Sequence, residues 1–174
     1  MKREQFSKRD QNILFCLSCI PQKMLNIHGA ENTTEFVLHE LCGPHCFNFP
    51  KAAYFVDNPD FDCCKGVAGC CCDERYCAAD DPWCTQQPFS QHMQQAAFNK
   101  KVRQIQTASV MNGVEQAVCV LADQLRIANP AYYTWNLKND NQGLLVFEGG
   151  SGNYEDIKDH LPQGVALLGF CPIF

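Results

Sequence analysis

No run of 18 apolar residues occurs anywhere in this 174-residue chain, so no segment reads as a membrane span. Basic residues are scarce. Lys and Arg number 14 against 19 Asp and Glu, a net charge of −5, which argues against a nucleic-acid binder driven by phosphate neutralisation. The pairs Lys2-Arg3 and Lys8-Arg9 read as part of a solvated N-terminal segment. A signal-peptide core is also missing. After charged residues, Ile13 to Leu17 is the only apolar run near the start, shorter than the roughly 7–15 residues such a core needs. The expectation is a cytoplasmic protein with reduced cysteines.

Several catalytic motifs are absent as well. Gly149-Gly150-Ser151-Gly152 lacks the Lys-Ser or Lys-Thr of a phosphate loop, and His39-Glu40 lacks the second His of a zinc protease helix. Asp57 to Asp62 is acidic without the calcium-loop pattern. His28, His92 and His160 stand alone, and no internal repeat is found. With 46% hydrophobic residues the chain can still build a core, so disorder is excluded.

What the sequence has in excess is cysteine. There are 13, and all but Cys119 and Cys171 fall between Cys16 and Cys84. In a reducing compartment the usual reason to concentrate thiols is metal. Cys16-x-x-Cys19 and Cys42-x-x-x-Cys46 form two close pairs, the arrangement by which two turns complete a tetrahedral zinc site. His45 could replace Cys46 as the fourth ligand, and His39 lies one helical turn before Cys42. Cys42-Gly43-Pro44-His45-Cys46 has one residue too many for the Cys-Gly-Pro-Cys redox motif. Cys46 beside His45 is no evidence of a nucleophile–base pair, because adjacency in sequence does not supply the geometry.

Cys63, Cys64, Cys70, Cys71, Cys72, Cys77 and Cys84 crowd a second cluster, with Gly66 and Gly69 to let the loop fold back. Neighbouring acidic residues favour a bound cation over bare thiolates. Soft thiolates accept zinc, copper(I) or an iron–sulfur cluster, although the ferredoxin spacings are absent. Palmitoylation of adjacent cysteines lacks a basic or amphipathic partner segment.

The coarse secondary-structure reading gives a short polar helix in 1–15 and a helix over 33–42 opened by an Asn32–Glu35 capping box. A strand follows at 52–56, and 62–85 has no period and no core of its own. A helical stripe capped by Ser90 runs on from there, interrupted at Asn112-Gly113 and ended by Asn129-Pro130. A hairpin of 132–137 and 144–147, a short helix at 153–160 and a final strand at 164–170 complete it.

These patterns predict an α+β chain. Residues 1–87 form a Cys-rich, metal-stabilised module of irregular structure, and residues 88–174 form a scaffold of helices and a small antiparallel sheet packed against it. The expected function is a zinc-binding structural or interaction protein holding one or two ions and engaging a protein partner. The alternatives are a redox protein with a 4Fe–4S cluster and an exported, disulfide-stapled protein.

Overall fold

The computed structural model describes residues 7–27, 31–149 and 153–172; Lys2-Arg3, His28 and Gly150 to Gly152 of the motifs above lie outside them. Its first helix, α1 (Lys8–Asn26), opens on a reciprocal capping box. The Ser7 hydroxyl accepts from the Asp10 amide while the Asp10 carboxylate accepts from the Ser7 amide. This helix is longer than the short one expected, because Ile13, Cys16, Leu17 and Ile20 recur at helical spacing and are all buried. Cys16-x-x-Cys19 therefore sits within a helix rather than in a metal-wrapping turn.

The second helix, α2 (Thr33–Leu41), falls where its pattern predicts. Its capping box does not form. Asn32 instead donates from its side-chain amide to the Glu35 carboxylate, 3.2 Å, and to Ser90 Oγ, 2.9 Å. Two strands follow, β1 (Lys51–Asn58) and β2 (Cys63–Cys71). The presence of β2 corrects the reading of 62–85 as wholly irregular; only the part after Cys71 lacks extended regular structure. Cysteine packs as a small hydrophobe, so Cys64, Ala68, Cys70 and Cys71 bury themselves in a strand that hydropathy alone does not reveal.

Helices α3 (Gln86–Gln95) and α4 (Ala97–Arg103) divide at Ala96, whose extended ψ of 121° breaks the helical path. Ser90 lies inside α3 instead of capping it. A two-residue strand, β3 (Gln106–Thr107), precedes α5 (Val114–Leu125), then β4 (Pro130–Asn136) and β5 (Gln142–Glu148) form the expected hairpin. Asn139 and Asp140 in its turn have φ of 57° and 58°, a left-handed conformation that Asn and Asp tolerate. Helix α6 (Asn153–Ile157) matches the expectation, but α7 (Leu161–Gly169) replaces the expected last strand. Leu161, Gly164, Val165 and Leu168 are its buried positions, a helical period inside a short apolar run that also fits a strand.

Among the described residues there are thus seven α-helices and one antiparallel sheet of order β3-β2-β1-β5-β4, an α+β fold as the sequence predicts. The sheet draws strands from both halves of the chain. Alternation along β1 sends Ala52, Tyr54 and Val56 to one face and Ala53 and Phe55 to the other. Helices α1, α2, α3 and α7 cover the first face, and α4 and α5 the second. A bulge at Tyr54/Phe55 shifts the pairing with β2. Nearby, Gly66 lets β2 approach α4 so closely that a Cβ would run into the Val102 carbonyl. No helix among the described residues is long and apolar enough to cross a membrane.

Candidate functional site

The thiols of the first expected site are redistributed. Cys16 on α1 is buried, while Cys19, one helical turn on, is half-buried with its side chain elsewhere. Cys42 caps the end of α2, and a tight turn returns the chain so that the Cys46 amide donates to the Gly43 carbonyl at 3.0 Å. Cys46 is thereby brought under α1, where its thiol hydrogen-bonds Cys16. Cys42 pairs with a thiol from the second cluster, Cys70 of β2. All four are nearly inaccessible. His45 points into solvent.

Each pair gives up its first proton more readily than its second. The hydrogen bond from Cys46 holds the Cys16 thiol below its ordinary range, and the bond to Cys16 together with burial pushes Cys46 up. In the other pair the bond from Cys42 lowers Cys70, with the Arg75 guanidinium helping against burial. Cys42 itself is pushed well up by burial and by Cys70. Arg75 is held beside this pair by donating to the Cys42 carbonyl, 3.3 Å, at the negative end of α2.

One turn before Cys42 lies His39, buried at 5% exposure. Its ring nitrogen Nε2 has no hydrogen-bond partner. Burial first, then the charges of Arg75 and His92, push the imidazole down to about 4, while a hydrogen bond with the Tyr76 backbone works the other way. At neutral pH the ring is uncharged, and with the Tyr76 bond falling to the other nitrogen, Nε2 carries its lone pair. That is the ligand form of histidine. His39 and Cys70 line one small cavity of about 10 Å3, together with Glu74 and Arg75, with room for a single water or ion.

An ion-pair network closes over the thiols from the α1 side. Lys23 Nζ lies 3.1 Å from Glu40 and 3.2 Å from Asp81, and Trp83 Nε1 donates to Glu40 at 3.0 Å. The Cys16 thiol lies 3.9 Å from the same Glu40 carboxylate, a long contact. Trp83 packs on Phe36, ring centroids 5.2 Å apart, and so pins the irregular segment after β2 onto α2.

The remaining thiols of the second cluster are dispersed. Cys64 and Cys71 face the opposite core, Cys63 is half-buried at the strand end, and Cys72, Cys77 and Cys84 are exposed. Burial and then Asp57 push Cys64 up to about 12. Cys119 is exposed on α5, and Cys171 is buried after α7. All thirteen cysteines are thiols in this structure. Among the described residues no three His, Cys, Asp or Glu side chains already converge as ligands of one ion.

Sequence reasoning held His39 only as a spare ligand and missed the pairing of Cys42 with Cys70. The spacing of three between His39 and Cys42 puts them on one helix face and was legible. Nothing local marks Cys70, Arg75 or the Glu40 network, because all depend on long-range packing. Comparison with protein-family models, curated protein sequences and solved structures gives no match in any of the three. The fold and site therefore define a class only: an α+β chain with two buried thiol pairs and, beside one of them, a neutral histidine whose Nε2 has no partner.

Proposed function

We propose that the chain is a cytoplasmic, zinc-binding structural protein that acts as an interaction component of a larger assembly. One observation carries the reading, the buried Nε2 of His39 left without a partner on the cavity it shares with Cys70. A buried polar atom without a partner costs about 1–3 kcal/mol, and a cation that takes its lone pair removes that cost. Cys42, Cys70 and His39 are the side chains that would hold zinc, with Cys46, whose thiol acts on that of Cys42, as a candidate fourth ligand. Side-chain rotation would have to bring them together, since they do not converge on one point in this structure. Arg75 favours this by easing ionisation of the Cys70 thiol. Zinc bound there would tie α2 to β2 and add folding free energy. A protein partner is the counterpart implied by an assembly role.

The pairwise contacts favour a second reading. Cys16 with Cys46, and Cys42 with Cys70, are the couples that would close as disulfides in an oxidising compartment. Elemental analysis of protein purified without added metal separates the readings. About one equivalent of zinc in colourless protein is expected, and brown protein containing iron would replace zinc with an iron–sulfur cluster. Less than roughly half an equivalent of any transition metal overturns the metal reading. The disulfide reading predicts that four of the thirteen thiols fail to react on denaturation.

A further inference from the structure

We propose that a cavity between α2, β2, α3 and α4, separate from the two thiol pairs, binds a small molecule bearing a carboxylate or phosphate group, recognised by Arg103 and Lys65. The cavity has a volume of about 480 Å3, within the range of roughly 300–1,000 Å3 usual for small-molecule sites. Its wall holds an unusual feature for a chain of this size, a carboxylate almost wholly removed from water.

Glu35 is 2% exposed. A buried charge persists only when paired and hydrogen-bonded. Glu35 Oε1 accepts from Asn99, 2.8 Å, and from Arg103 Nη1, 3.0 Å, and its other oxygen accepts from Asn32. The consequence for Arg103 matters more than that for Glu35. Its side chain is half-exposed on the cavity wall, yet one edge of the guanidinium is fixed by a buried anion. A guanidinium carries five N–H donors in a rigid plane, so the rest of the fork is oriented in advance for a planar or tetrahedral oxyanion.

Three further groups on the same wall support an anion. Lys65 of β2 is exposed and has no ion-pair partner among the described residues. Ser90 and Gln94 are one turn apart on α3, so both can face the cavity. Ser90 Oγ accepts from Asn32, which leaves the hydroxyl proton free to be donated to a ligand. Glu31 is the one lining residue that opposes an anion, and it is exposed. Because Glu35 is neutralised by Arg103, Lys65 supplies the unmatched positive charge and Glu31 the unmatched negative one. The ligand's anionic group therefore belongs on the side of Lys65 and Arg103.

Titration of the full chain with inorganic phosphate and, separately, with succinate tests this, read by calorimetry and by the melting temperature. Saturable binding of either probe is expected. Phosphate alone would mark a tetrahedral group, succinate alone a carboxylate. Lys65→Gln, an exposed position, should weaken binding about three- to tenfold. Arg103→Lys should weaken it about tenfold or more, because an ammonium cannot serve Glu35 and a ligand with one rigid fork. Glu31→Gln should tighten it by up to about threefold. No saturable binding of either probe up to about 20 mM, a dissociation free energy near 2 kcal/mol, overturns the proposal. Binding that Lys65→Gln leaves unchanged overturns it too, even if Arg103→Lys destabilises the fold.

Discussion

The two faces of the sheet are built from different material. Under α5 the contacts are mostly hydrocarbon, with Phe55, Val102, Leu121, Leu125, Leu144 and Val146 forming the core and Cys64 and Cys71 lying singly among them. Under α1 and α2 the same sheet meets the thiol pairs, a histidine whose Nε2 has no partner and the ion pairs of Lys23 with Glu40 and Asp81. Hydrocarbon burial contributes through area and is indifferent to redox state and metal. Buried thiols also pack as small hydrophobes, but they and the imidazole add a contribution that is set by what they bind. A chain that keeps one face mostly hydrocarbon and places both thiol pairs and the buried histidine on the other concentrates its dependence on metal and redox state on one side.

The sharpest break of this contrast comes from metal removal. Under the zinc reading, chelation of protein purified with its metal should lower stability by several kcal/mol. Cys70→Ser should start lower and lose its response to the chelator. A chelator response that survives in Cys70→Ser would move the ion away from α2 and β2. On the plain face, Phe55→Ala removes a wholly buried ring and should cost about 3–5 kcal/mol. Chemical denaturation with and without chelator should give the same difference between Phe55→Ala and the parent chain. If chelation changes that difference, the faces are coupled and the contrast fails.

The same contrast explains what was legible in the sequence. Phe98, Val102 and Ile105, then Val118, Leu121 and Leu125, announce the helices of the plain face, because hydrocarbon side chains at three- and four-residue steps have no other economical arrangement. Ala52 to Val56 and the hairpin are legible for the corresponding reason in strands. Strand β2 is hidden, since its inward residues are cysteine, alanine and glycine and Lys65 interrupts it. The thiol pairs are hidden more deeply. Cys70 meets Cys42 only because β2 registers against β1 with Cys70 opposite Ala52, and because α2 lies across that point. Spacing in sequence put Cys16, Cys19, Cys42 and Cys46 together; the helix of α1 turns Cys19 away and the sheet supplies Cys70.

Alkali offers a smaller, graded effect on the side carrying α7. Burial pushes the Cys171 thiol up to about 12 from an ordinary value of 9.0. Its folded-state value is raised, so its contribution is whole below pH 9 and is lost as pH rises towards 12, where the unfolded thiol ionises and the buried one resists. The loss attributable to Cys171 is up to about 4 kcal/mol at the top of that window. Urea denaturation between pH 8 and pH 11 should show a shallower decline in Cys171→Ala. An identical slope would mean that the buried thiol is solvated or bound in solution.

The smallest effect lies at the start of α1, on the thiol-bearing face but independent of its thiols. Ser7 and Asp10 exchange hydrogen bonds, and the His160 ring, ahead of α7, approaches the free Asp10 oxygen at 3.0 Å. The bond from the Ser7 hydroxyl, then the His160 contact, holds the Asp10 carboxyl below its ordinary 3.8. A lowered carboxylate stabilises the fold above the unfolded value and loses that contribution as pH falls through the folded one. Ser7→Ala should therefore cost about 1 kcal/mol at pH 7, the usual worth of a helix cap, and less at pH 3 as Asp10 takes up its proton. Chelator should leave that cost unchanged, because a cap contributes through local hydrogen bonds that form whether or not the thiols are bound. A chelator-dependent Ser7→Ala cost would instead tie the first turn of α1 to Cys16 two turns further on, and would extend the condition-dependent region along the whole helix.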